Sequence, residues 1–177
     1  MMSNGGTDTE KGTKQGAMAT QHGSGTAVTV LRLLTFAAAL SAFVTMITNK
    51  ERKLAYGILL KWSKYNYSDA FVWFVIGNGI AFVYALVAAI LGAVSKSPMV
   101  TKHLVILDLL VVNILMASAA AATAVAYIGK NGLEEAGWTE ICSIFDRYCH
   151  HILGALIACY LGWLFLLVAV FLGMRRS

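Results

Sequence analysis

Four long apolar runs dominate the pattern of this chain, at about 28–48, 71–94, 104–128 and 151–173. Each is long enough to cross about 30 Å of hydrocarbon as a helix. Only helices or closed barrels satisfy the backbone in that medium, and strand-like alternation of polarity is absent. The pattern predicts an all-α membrane protein, a four-transmembrane-helix bundle over 28–173. Residues 1–27, with six glycines and many Thr, Ser and Gln, show no apolar periodicity. They are expected to form a disordered cytosolic tail, and residues 174–177 a short one. Ser97-Pro98 reads as an N-cap followed by proline at the first helical position, which would start helix 3 inside the preceding loop.

Composition agrees with this picture. The chain is 58% hydrophobic and 13% charged over 177 residues, with one proline, Pro98. Soluble domains are about half apolar and about a quarter charged. The net charge of +5 comes from bases beside apolar runs, so anionic headgroups are the expected partner, and no nucleic acid is. The sequence does not open Met-Gly, so N-myristoylation has no support. A long polar lead before a run of about twenty residues argues against a signal peptide.

Charge alone leaves orientation undecided. The tails and the 95–103 loop carry Lys11, Lys14, Lys96, Lys102, Arg175 and Arg176. The opposite side carries Lys50, Arg52, Lys53, Lys61, Lys64, Lys130 and Arg147. Cys142 and Cys149, both within ICSIFDRYC, suggest a disulfide, and disulfides persist outside the cytosol. That places loops 1 and 3 outside and both termini in the cytosol. In a regular helix the two Cα atoms would stand about 10.5 Å apart along the axis. A bridge needs about 7 Å or less, so the chain must fold back at 143–148.

Two charges interrupt the runs: Arg32 in VTVLRLLTFAAAL and Asp108 in HLVILDLLVVNI. A charge at mid-helix costs about 2.5–3.5 kcal/mol on insertion scales. Each falls about four residues past the expected start of its run, roughly 6 Å in. With helices 1 and 3 running in the same direction, the two stand level, as a structural ion pair requires. Arg32 could instead snorkel to the cytosolic surface. A proton or ion relay would need further ionisable groups at successive depths. Gly154, Ala158 and Gly162 in helix 4, and Ala81, Ala85 and Ala89 in helix 2, form small-residue ridges suited to helix packing. These ridges are expected to pack the bundle itself, with a neighbouring protein as the minority alternative. Asn78 and Asn113 are expected to hydrogen-bond between helices. Trp73, Tyr127, Tyr56, Trp62 and Trp138 resemble an interfacial belt.

No catalytic constellation emerges. GxSxG, HExxH, P-loop and GxGxxG patterns and paired carboxylates are missing. Cys142, Cys149, His150 and His151 have ligand types that suit zinc or copper. A disulfide would remove two of them, and neighbouring His residues point apart on a helix. No metal or cofactor is therefore expected. Cys159 reads as a small buried hydrophobe.

The ordered set of VLRLLTFAAAL, YSDAFVWFVIGNGIAFVYALV, HLVILDLLVVNILMASAAAATAVAYIGKNG and WTEICSIFDRYCHH resembles the plant Casparian strip membrane-domain proteins and their CASP-like relatives. The resemblance covers nearly everything after about residue 26. The architecture is also similar, more distantly, to animal MARVEL-domain proteins. Claudins place their cysteine pair in the first extracellular loop, and tetraspanins have a large cysteine-rich second loop, so neither fits. The resemblance implies a non-enzymatic plasma-membrane scaffold. Such a scaffold would form homo- and hetero-oligomers with related four-helix proteins, organise a membrane domain and recruit cell-wall-modifying enzymes. The loop 1 stretch NKERKLAYGILLKWSKYNYSDA departs from the extracellular signature of strip-forming members, which places the chain among the CASP-like proteins. The alternatives are a small channel or transporter using Arg32 and Asp108, or an accessory subunit of a membrane enzyme.

Overall fold

The computed structural model describes residues 7–51, 54–55, 58–59, 63–64, 68–95, 97–132, 140, 142 and 146–175. Four helices account for most of them: α1 (Thr7–Thr48), α2 (Asp69–Val94), α3 (Pro98–Asn131) and α4 (Asp146–Met174). All four contain a stretch long and apolar enough to cross a membrane, in α1 the part Gly25–Thr48. Between α1 and α2 lie β1 (Lys50–Glu51), β2 (Leu54–Ala55), β3 (Ile58–Leu59) and β4 (Ser63–Lys64). These pair antiparallel as β1 with β4 and β2 with β3. Two-residue strands leave no sequence periodicity to read, and loop 1 shows none.

Three helix starts differ from the hydropathy pattern. Helix α1 begins at Thr7, so its backbone continues through residues 7–27, assigned by composition to a disordered tail. Helical hydrogen bonds are local, and a helix already nucleated in a span extends at little cost per residue. Helix α3 begins at Pro98, ahead of its apolar run at 104 and where the Ser97-Pro98 pair predicts. Ser97 is its N-cap with extended backbone (φ −71°, ψ 130°), and Thr101 N–H donates to Ser97 O at 3.2 Å. Helix α4 begins at Asp146 rather than 151, with that carboxylate in the first turn, where the helix dipole favours it. Apolar content marks where a helix enters hydrocarbon, whereas caps set where its hydrogen bonding begins. Helix α3 is capped by Gly132, whose positive φ of 71° suits a residue without Cβ, and its N–H closes on Ile128 O at 2.8 Å.

The helices pack as a ring. α1 lies against α2 and α4, and α3 lies against the same two, so α1 and α3 face each other across the diagonal. Phe74, Met46, Leu115, Leu166 and Val170 fill the centre. Large apolar side chains such as Leu33, Val87, Ile106, Leu110 and Phe171 cover the outside. With hydrocarbon outside, apolar burial drives little association, and close packing carries more of the load. Glycines allow it. A Cβ on Gly77 would stand 2.7 Å from Ser118 Oγ between α2 and α3, and one on Gly173 2.8 Å from Val105 Cγ2 between α3 and α4. Phe82 of α2 meets Phe36 and Phe43 of α1 edge-on, with centroids 6.2 and 5.3 Å apart.

Candidate functional site

The most polar place inside the bundle is built from three helices. Asp108 on α3 is fully buried and Arg32 on α1 is 4% exposed. Arg32 Nη2 donates to Asp108 Oδ2 at 2.5 Å. Tyr84 Oη on α2 donates to Asp108 Oδ1 at 2.7 Å and also stands 3.1 Å from Leu104 O. Arg32 Nη1 donates to Ala88 O at 3.3 Å. A Cβ on Gly92 would lie 2.9 Å from that same nitrogen. Tyr84, Ala88 and Gly92 are spaced by four, so one face of α2 supplies a hydroxyl, a carbonyl and an empty space to the node.

Charge balance explains the arrangement. Each carboxylate oxygen accepts one donor, one of them cationic, and charge-assisted bonds of this kind are the stronger class. The guanidinium lies within the bundle, which is not the geometry of a snorkelling arginine. Its Nε is the one atom of the node without a partner among the described residues. The hydrogen bonds end at two backbone carbonyls, Ala88 O and Leu104 O. Such a set holds three helices together.

Depth differs from the sequence estimate. Because α3 starts at Pro98, Asp108 lies ten residues along it, roughly 15 Å from its first turn rather than 6 Å. Arg32 lies seven residues past Gly25, roughly 10 Å into the membrane-length part of α1. Neither side chain sits at a helix end. The contribution of Tyr84 was missed by sequence reasoning. Its signal was a single Tyr in AFVYALVAAILG, four and eight residues ahead of Ala88 and Gly92.

At the other end of the bundle, Cys142 and Cys149 form a disulfide with Cα atoms 5.7 Å apart. Cys142 sits in a turn ahead of α4 and Cys149 in the first turns of α4, so the pair escapes regular helical spacing. Cys142 N–H donates to Gly129 O at 3.1 Å, which fastens the bridge to α3. Asn49 Nδ2 on the residue after α1 donates to Tyr148 O at 3.0 Å. Cys159 is buried with a free thiol.

The small-residue ridges separate. Ala81, Ala85 and Ala89 of α2 are all buried. In α4, Gly162 is pressed on α1, where a Cβ would come 3.2 Å from Ala38 Cβ, and Thr35 Oγ1 donates to Gly162 O at 3.3 Å. Ala158 is half-buried against the core. Gly154 is exposed, with nothing within 4 Å of an added Cβ. It leaves the ridge because α4 turns that position outward, a direction that small size alone does not encode.

One of the two asparagines corrects an expectation. Asn113 Nδ2 donates to Leu109 O at 2.8 Å within its own helix, whereas Asn78 Nδ2 donates to Phe74 O at 2.9 Å and its side chain also hydrogen-bonds the Cys159 thiol on α4. The i−4 carbonyl is simply the nearest acceptor to a short side chain on a helix. Asn78 is buried, while Asn113 is exposed on the outer face of α3. Thr35 and Gly162 make a polar contact between α1 and α4, and Thr123 Oγ1 lies 3.0 Å from Tyr160 Oη between α3 and α4. Trp73 and Tyr127 are 62% and 69% exposed near their helix ends. Tyr56, Trp62 and Trp138 lie outside the described residues, as do Lys96, Arg52, Lys53, Lys61 and Arg176.

His150 Nε2 stands 3.4 Å from Asp146 Oδ1, and His151 Nδ1 2.7 Å from Arg147 O. Among the described residues no three of His, Cys, Asp or Glu gather as a metal site would require.

Comparison with known proteins adds an independent line. The family model of the Casparian strip membrane protein domain matches residues 21–165. The chain is 62% identical over 168 residues to CASP-like protein 1U1 of Marchantia polymorpha, covering 95% of this chain and 91% of that one. It is 43% identical over 143 residues to CASP-like protein 1C2 of Arabidopsis thaliana, covering 81% and 83%. Against CASP-like protein 1F1 of Vitis vinifera it is 38% identical over 151 residues, covering 83% and 73%. No solved structure matches the chain. With the matched domain spanning all but the end of the bundle, the protein belongs to the plant family of Casparian strip membrane-domain and CASP-like proteins.

Proposed function

We propose that this protein is a non-enzymatic scaffold of the plasma membrane, with both termini in the cytosol. In this reading it associates with itself and with related four-helix proteins, organises a membrane domain and recruits cell-wall-modifying enzymes. The observation that carries the reading is the outward position of Asn113. Its carboxamide is exposed on α3, among outward-facing Ala117, Ala120, Ala121 and Ala124. A polar group facing hydrocarbon gains most from a second helix that can answer it, and small neighbours let that helix come close. A carboxamide both donates and accepts, so two copies of Asn113 are self-complementary across a two-fold axis. Exposed Gly154 on adjacent α4 leaves a second notch on the outside.

The Cys142–Cys149 bridge supports the orientation, since disulfides persist on the side away from the cytosol. A channel has less support, because the Arg32–Asp108 pair crosses the bundle's diagonal and is closed by backbone carbonyls. Single-molecule photobleaching of the labelled full chain in nanodiscs or cell membranes tests the scaffold. Multistep bleaching is expected, with Asn113→Leu shifting the distribution toward single steps. Freely diffusing monomers in the unaltered protein would overturn it.

A further inference from the structure

The end of the bundle opposite the charge node is hollow. A half-enclosed cavity of about 350 Å3 opens where α3 ends and α4 begins. Phe71, Tyr148, Ile152 and Leu156 form a buried floor. The last turns of α3 and the Cys142–Cys149 bridge form the walls. Exposed Lys130, Asp146 and His150 mark the mouth, with His150 set against Asp146. The volume falls at the lower end of the roughly 300–1,000 Å3 typical of small-molecule sites. An apolar hollow of this size in a close-packed protein forfeits stability unless something fills it.

Position and charge together choose the occupant. The mouth lies at the last turns of α3, a helix long and apolar enough to cross a membrane, next to exposed Tyr127, an aromatic of the kind enriched at membrane interfaces. In a bundle that crosses a bilayer, a lipid is the apolar molecule that such a cavity meets most readily. A chain entering from the side would leave its headgroup at the charged mouth. That mouth holds both signs: the Lys130 ammonium is suited to a phosphate, and the Asp146 carboxylate to a headgroup cation. An anionic headgroup would satisfy Lys130 and meet Asp146 unfavourably.

We propose that this α3–α4 cavity is a site for one zwitterionic phospholipid, with an acyl chain on the Phe71–Leu156 floor, its phosphate at Lys130 and its ammonium group at Asp146. The proposal is independent of self-association. The disulfide is part of the wall and is fastened to Gly129, so the bridge shapes the site as well as the loop.

The test uses the full chain reconstituted in nanodiscs holding equal phosphatidylcholine and phosphatidylglycerol, then released into mild detergent for native mass spectrometry. One phospholipid per chain is expected to remain, with phosphatidylcholine in excess. Lys130→Ala, at an exposed position, and Ala126→Trp, which fills the cavity from its α3 wall, should each reduce retention about tenfold, equivalent to about 1.4 kcal/mol. Formation of the Cys142–Cys149 bridge reports folding in both variants, and Lys130→Ala decides the matter if Ala126→Trp does not fold. Retention unchanged in folded variants overturns the site, and excess phosphatidylglycerol overturns the zwitterionic assignment.

Discussion

The two ends of this bundle hold their helices together in opposite ways. Near the α2–α3 connection, three helices converge on Asp108, every carboxylate oxygen has a donor, and Gly92 and Gly173 admit close neighbours. Near the α3–α4 connection, a covalent bridge fastens the loop to α3 and a hollow remains beneath it. One end is held by a charge network; the other is stapled and, among the described residues, keeps a cavity. The contrast teaches that a rigid frame does not require uniform packing. A disulfide tolerates an adjacent void because it does not depend on its neighbours. A buried ion pair depends on all of them, since losing any donor leaves charge in a medium that cannot solvate it.

The largest break in that contrast should come from Asp108→Ala. It strands the Arg32 guanidinium, and removing one partner of a buried pair costs about 3–5 kcal/mol. Loss of surface delivery and a fall in thermal stability in detergent are expected, with Arg32→Asp combined with Asp108→Arg recovering part of both. A double swap no better than either single change would refute the pairing as the stabilising element.

Opening the other end should cost less. For a loop of about eight residues the chain-entropy model assigns a disulfide about 2.5 kcal/mol. Cys142→Ser is therefore expected to lower the melting temperature less than Asp108→Ala does, leaving the helix content measured by circular dichroism unchanged. An equal or larger loss would reverse the ranking of the two ends.

Tyr84→Phe removes one donor while leaving the ion pair. Interhelical hydrogen bonds in membranes reach about 1.7 kcal/mol at most, and those to charged groups about 1.5 kcal/mol or more. A loss near 1.5 kcal/mol in thermal denaturation would place Tyr84 in the node, and no measurable change would remove it. The smallest effect belongs to Gly154→Ala, expected within about 0.5 kcal/mol of the unaltered chain, because the added methyl meets nothing. Gly162→Ala, pressed on Ala38, supplies the contrast within a single ridge.

The number and order of spans were legible in the sequence because hydrocarbon thickness imposes a length that apolar runs must meet. Arg32 and Asp108 were legible as candidates because two charges in such runs are conspicuous. Their surroundings were not. Tyr84 lies in an apolar run where its hydroxyl is one more aromatic tip, and only the rotation of α2 aims it at Asp108. The diagonal placement of α1 and α3 depends on connection geometry, which no residue spells out. Ridges were legible as small residues, but Gly154 and Gly162 share that property while facing opposite ways. Asn113 failed for a related reason, since a short amide reaches its own helix before it reaches another.

The 76 residues separating Arg32 from Asp108 also set a clock for biogenesis. At synthesis rates of about 5–20 residues per second, the arginine precedes its carboxylate by about 4–15 s. Once α2 is complete at Val94, the nascent chain holds α1 and α2 with a cation that still lacks its carboxylate, and Ala88 O is an acceptor α2 can offer it. A chain stopped before α3 therefore carries a lasting mark of incompleteness, and arrival of Asp108 erases it.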